Sequence, residues 1–261
     1  MKSKGTGAKG LIRLLIPILV LLTLGGGQWL LAQSESKPVW EFGLSGELFS
    51  RGIKWQEESS TLKSTNATLA LRISEIASII NLTVYGGIGM PRPNGIVFDR
   101  LPLTLEYQAG SLNGLLAGVR AEARVLPASD FNFGLVAEVT SFSGFNKNFE
   151  LKGLVVPATA TARLSWIQAT AGFIVTYDAL ENSQPFLEIA GSYLQGKFRM
   201  KEVIEDLSGE QTVTIKSSGY ASITAGWNFY LVDQITVVPR VRFMPGTRST
   251  FGGSLSIFYG F

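Results

Sequence analysis

The residues of this chain best suited to chemistry are carboxylates and arginines that recur at alternate positions of short apolar segments. In segment 114–126, for example, Arg120 and Arg124 flank Glu122 while apolar residues occupy the positions between them. Arginine donates paired hydrogen bonds to a carboxylate, so such residues on one face predict a network of ion pairs. The candidate members of this charged network are Glu106, Arg120, Glu122, Arg124, Glu138, Arg163, Arg240 and Arg242.

Other chemistries are restricted by two missing residue types. The 261 residues include no histidine and no cysteine. Histidine is the commonest general base and metal ligand, and cysteine supplies thiolates and disulfides. Glu122 and Glu138 are acids that could in principle act as a catalytic pair, but beside several arginines we expect paired carboxylates to be structural. We therefore predict no catalytic residue, no metal site and no cofactor.

The segments that carry these residues have the pattern of β-strands. From Val39 onward, apolar and polar residues alternate in short runs separated by turn residues. Hydrophobic residues make up 46% of the chain. After residue 32, however, no apolar run reaches the roughly 18 residues of a membrane-spanning helix. We predict about twelve strands, near 39–53, 62–73, 79–89, 97–109, 114–126, 131–141, 153–166, 169–178, 185–199, 213–231, 235–243 and 250–261.

The last strand is the most informative stretch. Phe251, Leu255, Ile257, Tyr259 and Phe261 lie on one face, and the chain ends on that face with Phe261. This ending resembles the bacterial outer-membrane β-barrel family, whose last strand characteristically ends in Phe preceded by alternating apolar residues. The resemblance implies an all-β, antiparallel, up-and-down transmembrane β-barrel. It also implies that Tyr259 and Phe261 form a signal read by the barrel assembly machinery. A soluble sandwich or lipocalin-like barrel is the alternative.

The front of the chain reads as an export signal. Four bases precede the apolar run 14–24, and the glycines 25–27 then interrupt it. We predict that residues 1–32 are a signal peptide cleaved after Ala32 and that 33–261 form the barrel; an uncleaved anchor helix is the alternative. The whole chain carries +3, and loss of the four leader bases leaves −1. That balance does not favour nucleic acid as a partner.

In such a barrel the apolar faces point to lipid and the charged faces point inward, because a charge against lipid at mid-membrane costs about 2–4 kcal/mol. Counting along the predicted hairpins places Arg120 between Glu106 and Glu138. Aromatic residues are expected to form a girdle at the membrane interface on the side of the chain termini: Trp40, Phe42, Tyr107, Tyr177, Trp227, Phe229, Tyr259 and Phe261. The predicted external connection 126–130 is short and the predicted periplasmic connection 142–152 is long. The family shows the reverse, so ten strands are the alternative count.

The predicted function is a narrow passive channel for small hydrophilic solutes in the bacterial outer membrane. The alternative is a non-conducting structural or surface-interaction barrel whose lumen is closed by salt bridges. Enzymes of this barrel family place a histidine beside a serine or an aspartate, and this chain has no histidine. The expected partners are outer-membrane lipid, lipopolysaccharide and the assembly machinery.

Overall fold

The computed structural model describes residues 38–76, 79–93, 96–100, 103–106, 110–151, 158–204, 207–232 and 234–261, and every regular element within them is a β-strand. Among these residues, no helix is long and apolar enough to cross a membrane. The strands are β1 (Val39–Trp55), β2 (Glu58–Ile76), β3 (Ile80–Arg92), β4 (Ile96–Arg100), β5 (Leu103–Glu106), β6 (Gly114–Ala128), β7 (Phe131–Gly144), β8 (Lys147–Glu150), β9 (Ala158–Tyr177), β10 (Ser183–Ile204), β11 (Leu207–Ser217), β12 (Ala221–Val232), β13 (Ile235–Met244) and β14 (Thr250–Gly260).

Twelve of these strands form one antiparallel sheet that closes into a ring, because β1 pairs with both β2 and β14 and β9 pairs with β10 on the far side. β7 and β8 follow one another along β9, and β11 and β12 follow one another along β10. The twelve strands therefore occupy ten positions around the ring. The predicted antiparallel barrel of about twelve strands is confirmed. The alternative count of ten equals the number of strand positions around the ring.

Four of the predicted strands differ from the structure. Segment 213–231 was expected to be one strand, but β11 ends at Ser217 and β12 begins at Ala221. Within segment 97–109, β4 and β5 form a separate two-stranded sheet outside the ring. Segments 153–166 and 169–178 are not two strands, because β9 runs from Ala158 to Tyr177. Ile167 and Gln168, where a turn was expected, are not turn-forming residues, and they continue the alternation. With one strand fewer before β6, the short connection after β6 lies at the same end of the barrel as the chain termini, and the long connection after β7 lies at the opposite end. This is the arrangement of the family, which has short periplasmic turns and long external loops.

We call the end of the barrel at which β1 begins and β14 ends the base. There the Phe261 amide donates to the Trp40 carbonyl at 3.0 Å. The opposite end is the rim. Towards the base, the outer face forms an apolar belt, as the alternation predicts. Its exposed side chains include Phe42, Leu44, Leu48, Leu69, Leu71, Val84, Ile88, Leu115, Val119, Leu135, Val139, Ile167, Phe173, Leu187, Ile189, Ile223, Val241, Leu255 and Ile257. Such a belt suits lipid and not water.

Aromatic side chains border the belt on both sides. At the base, Trp227 stacks with Phe229 at a ring separation of 5.4 Å. Tyr259, two strands away on β14, is also exposed on the outer face. Of the predicted girdle, Tyr107 lies outside the described residues. A second border, which the sequence analysis did not predict, lies towards the rim, where Phe243 packs on Phe251 at 4.8 Å.

Towards the rim the apolar residues occupy the inward positions of the strands instead of the outward positions. On β1, Leu44 and Leu48 point outward within the belt, whereas Ile53 and Trp55 further along point inward and are buried. The rim half therefore has an apolar core inside the ring, as a soluble barrel does. We call this group the rim core; its buried members are Phe49, Ile53, Trp55, Leu62, Leu112, Leu116, Phe142, Ala160, Ala162, Leu164, Trp166, Leu194, Phe198, Met200, Val213, Ile215 and Met244.

Candidate functional site

The base half of the barrel encloses a cavity of about 340 Å³. Arg124 and Tyr230 line it near the base. Its far end is lined by Phe49, Trp166 and Met244, which are members of the rim core. The rest of the lining is mostly polar. Six of the eight predicted members of the charged network line the cavity: Arg120, Glu122, Arg124, Glu138, Arg240 and Arg242. The cavity is thus a polar chamber whose rim side ends against an apolar wall.

Arg120 is the centre of the charged network. It is 4% exposed. Its guanidinium donates to Glu122 Oε1 at 2.7 Å and to Glu188 Oε2 at 2.8 Å, and it lies 3.5 Å from Glu138 Oε2. Arg242 adds a contact of 3.4 Å to Glu138 Oε2. Arg242 is on β13 and Glu138 is on β7, four positions apart in the ring of ten, so the network crosses the lumen.

The prediction that Arg120 lies between Glu106 and Glu138 is half wrong. Glu138 is directly opposite Arg120 on β7. On its other side Arg120 faces Thr83 of β3, because β6 pairs with β3. Glu106 belongs to β5, where its partner is Ile96 of β4. The hairpin count failed because segment 97–109 was treated as a strand of the ring.

Arg163 is also wrongly placed by the sequence analysis. It was assigned to the lumen, but it is exposed on the outer face of β9 and donates to the Ser143 hydroxyl at 3.3 Å. Its neighbours Ala162 and Leu164 point inward and are buried. The expectation assumed that apolar side chains face lipid along the whole strand, whereas here they fill the rim core.

Two further arginines of the cavity contact aromatic rings. Arg72 forms a two-pronged ion pair with Glu41 and lies over the Phe258 ring at 4.0 Å. Arg240 lies 5.5 Å from the centre of the Phe186 ring. Its Nε is buried, and among the described residues it has no hydrogen-bond partner. Arginine over an aromatic face is a favourable arrangement. The formal charges at the centre of the network balance, because three arginines face three carboxylates: Arg120, Arg240 and Arg242, with Glu122, Glu138 and Glu188.

Inward aromatic residues were missed by the sequence analysis. The Tyr85 hydroxyl donates to Glu138 Oε1 at 2.8 Å and lies 2.6 Å from the Thr140 hydroxyl. Its ring covers Gly118, its register partner on β6, and a side chain at Gly118 would collide with it. Two further inward rings cover a partner glycine in the same way: Phe186 over Gly226 and Phe258 over Gly43. The signal available in the sequence was an aromatic residue on the polar face of its strand.

Arg51 was also missed, and it lies between the chamber and the rim core. It is 2% exposed. It donates to the Gln168 side chain at 3.1 Å, to the Ser192 hydroxyl at 2.7 Å, and to the Ser192 and Gly219 carbonyls at 2.6 and 3.3 Å. Gly219 lies in the break between β11 and β12. Arg51 therefore donates to backbone carbonyls at the point along β10 where the neighbouring strand changes from β12 to β11.

The chemistry open to this site is that of a balanced ionic network. Glu41, Glu122, Glu138 and Glu188 each accept a hydrogen bond from an arginine. Such contacts hold a carboxylate in a fixed position, as a brace requires. Within the described ranges, no group of three or more His, Cys, Asp or Glu side chains is arranged to hold a metal ion.

No family model and no curated protein matches this chain. Similar solved structures include the outer membrane protease OmpT from Escherichia coli, with 10% identity, a TM-score of 0.45 and coverage of 89% of this chain and 100% of that one. The translocator domain of the autotransporter NalP from Neisseria meningitidis has 9% identity, a TM-score of 0.46 and coverage of 97% and 96%. The attachment invasion locus protein Ail of Yersinia pestis has 10% identity, a TM-score of 0.33 and coverage of 87% and 100%. The closed antiparallel ring, its apolar outer belt and its polar chamber give this chain the fold of the bacterial outer-membrane β-barrel proteins.

Proposed function

We propose that the protein is a closed, non-conducting barrel of the bacterial outer membrane, which braces its lumen with ion pairs and presents its rim at the cell surface. In this role it is a structural or surface-interaction protein. The rim half extends the strands well beyond the belt: β10 has 22 residues, whereas a strand needs about 9–11 to cross a membrane. The extension provides a folded platform outside the lipid.

The observation that carries this proposal is the rim core. Trp55 and Phe198 pack on one another at a ring separation of 5.0 Å. Met200 and Leu62, in the same core, are fully buried. A path for hydrated solutes needs polar side chains and water along its whole length, and an apolar core packed to the density of a protein interior provides neither. The rim core therefore supports a closed barrel.

The charged network supports the same conclusion from the base half of the barrel. Arg120 contacts Glu188 on β10 and Arg242 contacts Glu138 on β7, so the network occupies the lumen through which a solute would have to pass. The six charges of the network sum to zero, so the network does not favour ions of either sign. Because each of the three carboxylates is held by an arginine, we propose no catalytic role for them.

A second candidate function is the narrow passive channel for small hydrophilic solutes. The observation that favours it is the polar cavity of about 340 Å³ in the base half. For this function the rim core would have to open. The two candidates therefore differ in one measurable property, which is conductance across the whole barrel.

Conductance of the purified full chain in a planar lipid bilayer tests the proposal. We expect the wild type to show no unitary conductance steps. The double variant Trp55→Ala/Phe198→Ala removes two rings from the rim core and should produce steps. Phe173→Ala is the matched control, because it removes a ring that is 69% exposed on the lipid face and should leave the barrel silent. Steps in the wild type, with an ion selectivity altered by Arg120→Gln, would instead establish the channel.

We also propose that the terminal strand is the segment that the barrel assembly machinery recognises. β14 closes the ring against β1, where Tyr259 is the register partner of Phe42. Tyr259 and Phe261 are exposed on the outer face at the base, so a protein partner can reach them before the barrel enters lipid. A signal peptide ending at Ala32 would deliver the chain to this machinery. These residues support assembly and not the function of the folded barrel.

A further inference from the structure

The outer face of the rim half carries a cluster of exposed basic residues on four neighbouring strands. β1, β11, β10 and β9 pair side by side in this region. We call this cluster the basic patch; its members are Lys54, Arg163, Lys197, Arg199 and Lys216, and all five are exposed. Its side chains point away from the rim core, so the patch forms part of the outer wall of the barrel.

Within the basic patch, like charges lie directly opposite one another. Lys54 of β1 is the register partner of Lys216 of β11, and Arg163 of β9 is the register partner of Arg199 of β10. Like charges at directly opposite positions of a sheet destabilise it. A repeated pattern of this kind costs folding free energy and is therefore expected to have a compensating ligand.

The protein itself compensates little of this charge. Arg199 lies 3.3 Å from Glu210. Both side chains are more than half exposed, so this pair contributes little. Among the residues that the structure describes, no other salt bridge reaches the basic patch. Most of its positive charge is therefore available to an external anion.

The position of the basic patch indicates which anion it meets. Nearer the belt, Tyr193 of β10 stacks on Tyr220, which lies between β11 and β12, at a ring separation of 6.0 Å. On β9, Ile167 is exposed in the belt only four residues from Arg163. Aromatic side chains of membrane proteins collect at the level of the lipid headgroups. The patch begins directly beyond that level, so it faces the headgroup layer.

We propose that the basic patch binds the phosphate groups of a phosphorylated glycolipid of the outer leaflet, of the lipid A type. Lysine provides point charges for phosphate, and arginine donates paired hydrogen bonds to it. A phosphate between Lys54 and Lys216, or between Arg163 and Arg199, replaces their repulsion with attraction to both partners. The acyl chains of the same lipid then lie along the apolar belt directly beneath.

Binding is measured on the refolded full chain in detergent micelles, titrated with diphosphorylated lipid A and observed by native mass spectrometry. The variant Lys54→Gln/Lys197→Gln/Lys216→Gln should bind at least tenfold more weakly than wild type. The charge-conserving variant Lys54→Arg/Lys197→Arg/Lys216→Arg should keep its affinity. With dephosphorylated lipid A, wild type and the glutamine variant should bind equally, because the apolar belt is the same in both.

Heat-dependent gel mobility checks the fold, and the glutamine variant should fold at least as well as wild type because it removes repulsion between like charges. Equal affinity of the folded wild type and glutamine variant for diphosphorylated lipid A would overturn the proposal. Tighter binding of a sulfated polysaccharide than of lipid A, lost in the glutamine variant, would also overturn it and assign the basic patch to an acidic polymer.

Discussion

Replacing Arg120 with methionine should lower the free energy of unfolding by about 3–5 kcal/mol, because it leaves a buried carboxylate without its partner. The carboxylate that decides this magnitude is Glu188, which is 0% exposed and whose ion pair is with Arg120 at 2.8 Å. Glu138 loses less, since it keeps Arg242 and the Tyr85 hydroxyl. Glu122 is partly exposed and can be solvated from the cavity.

The assay is urea unfolding of the protein refolded in lipid vesicles, followed by tryptophan fluorescence. The midpoint should fall in Arg120→Met and recover most of the way in Arg120→Met/Glu188→Met, which removes both members of the pair. The matched control is Arg120→Met/Glu138→Gln. It should recover less, because Glu138 retains other partners in the single variant.

Two results would refute this reasoning. A loss below about 1 kcal/mol in Arg120→Met would mean that the network is as weak as an exposed ion pair. A failure of Glu188→Met to restore stability would mean that the loss arises from packing and not from an unpaired charge.

Three other substitutions or measurements test the rest of the architecture. Val119→Arg puts a charge on the apolar belt and should reduce insertion into vesicles by about 2–4 kcal/mol, whereas normal insertion would invert the assigned faces. Deleting Phe261 should lower the amount of folded barrel in the membrane without altering the unfolding midpoint of the fraction that folds, and a normal yield would remove the assembly signal. N-terminal sequencing of the outer-membrane fraction should begin near Gln33, and an intact Met1 in the inner membrane would indicate an anchor helix instead.

Much of the belt was predictable from the sequence because lipid imposes one rule there. Leu115 and Val119 alternate with Arg120 and Glu122, and only the outward placement of the apolar set keeps these charges out of lipid. The pairing of β14 with β1 also follows from the need of a membrane barrel for a closed edge. In these elements the local pattern and the environment agree.

The rim was not predictable in the same way. In β9 the same alternation continues through Leu164 and Trp166, yet its apolar side chains fill the rim core and Arg163 faces outward. An alternating strand fits either lipid outside or a core inside, and the pattern itself does not mark where one replaces the other. The partner of Arg120 on β10, Glu188, was missed as a network member for a different reason, because it depends on distances across the barrel.

The most direct test of a closed barrel uses the absence of native cysteine from the chain. Thr68→Cys places one thiol in the chamber, and Lys201→Cys places one on the exposed rim beyond the basic patch. A small, membrane-impermeant thiol reagent is added to intact cells and to cells with an opened outer membrane. The closed barrel predicts labelling of Lys201→Cys in both, and labelling of Thr68→Cys only after the outer membrane is opened. Equal labelling rates of Thr68→Cys in both preparations would show a continuous path through the rim core and contradict the account.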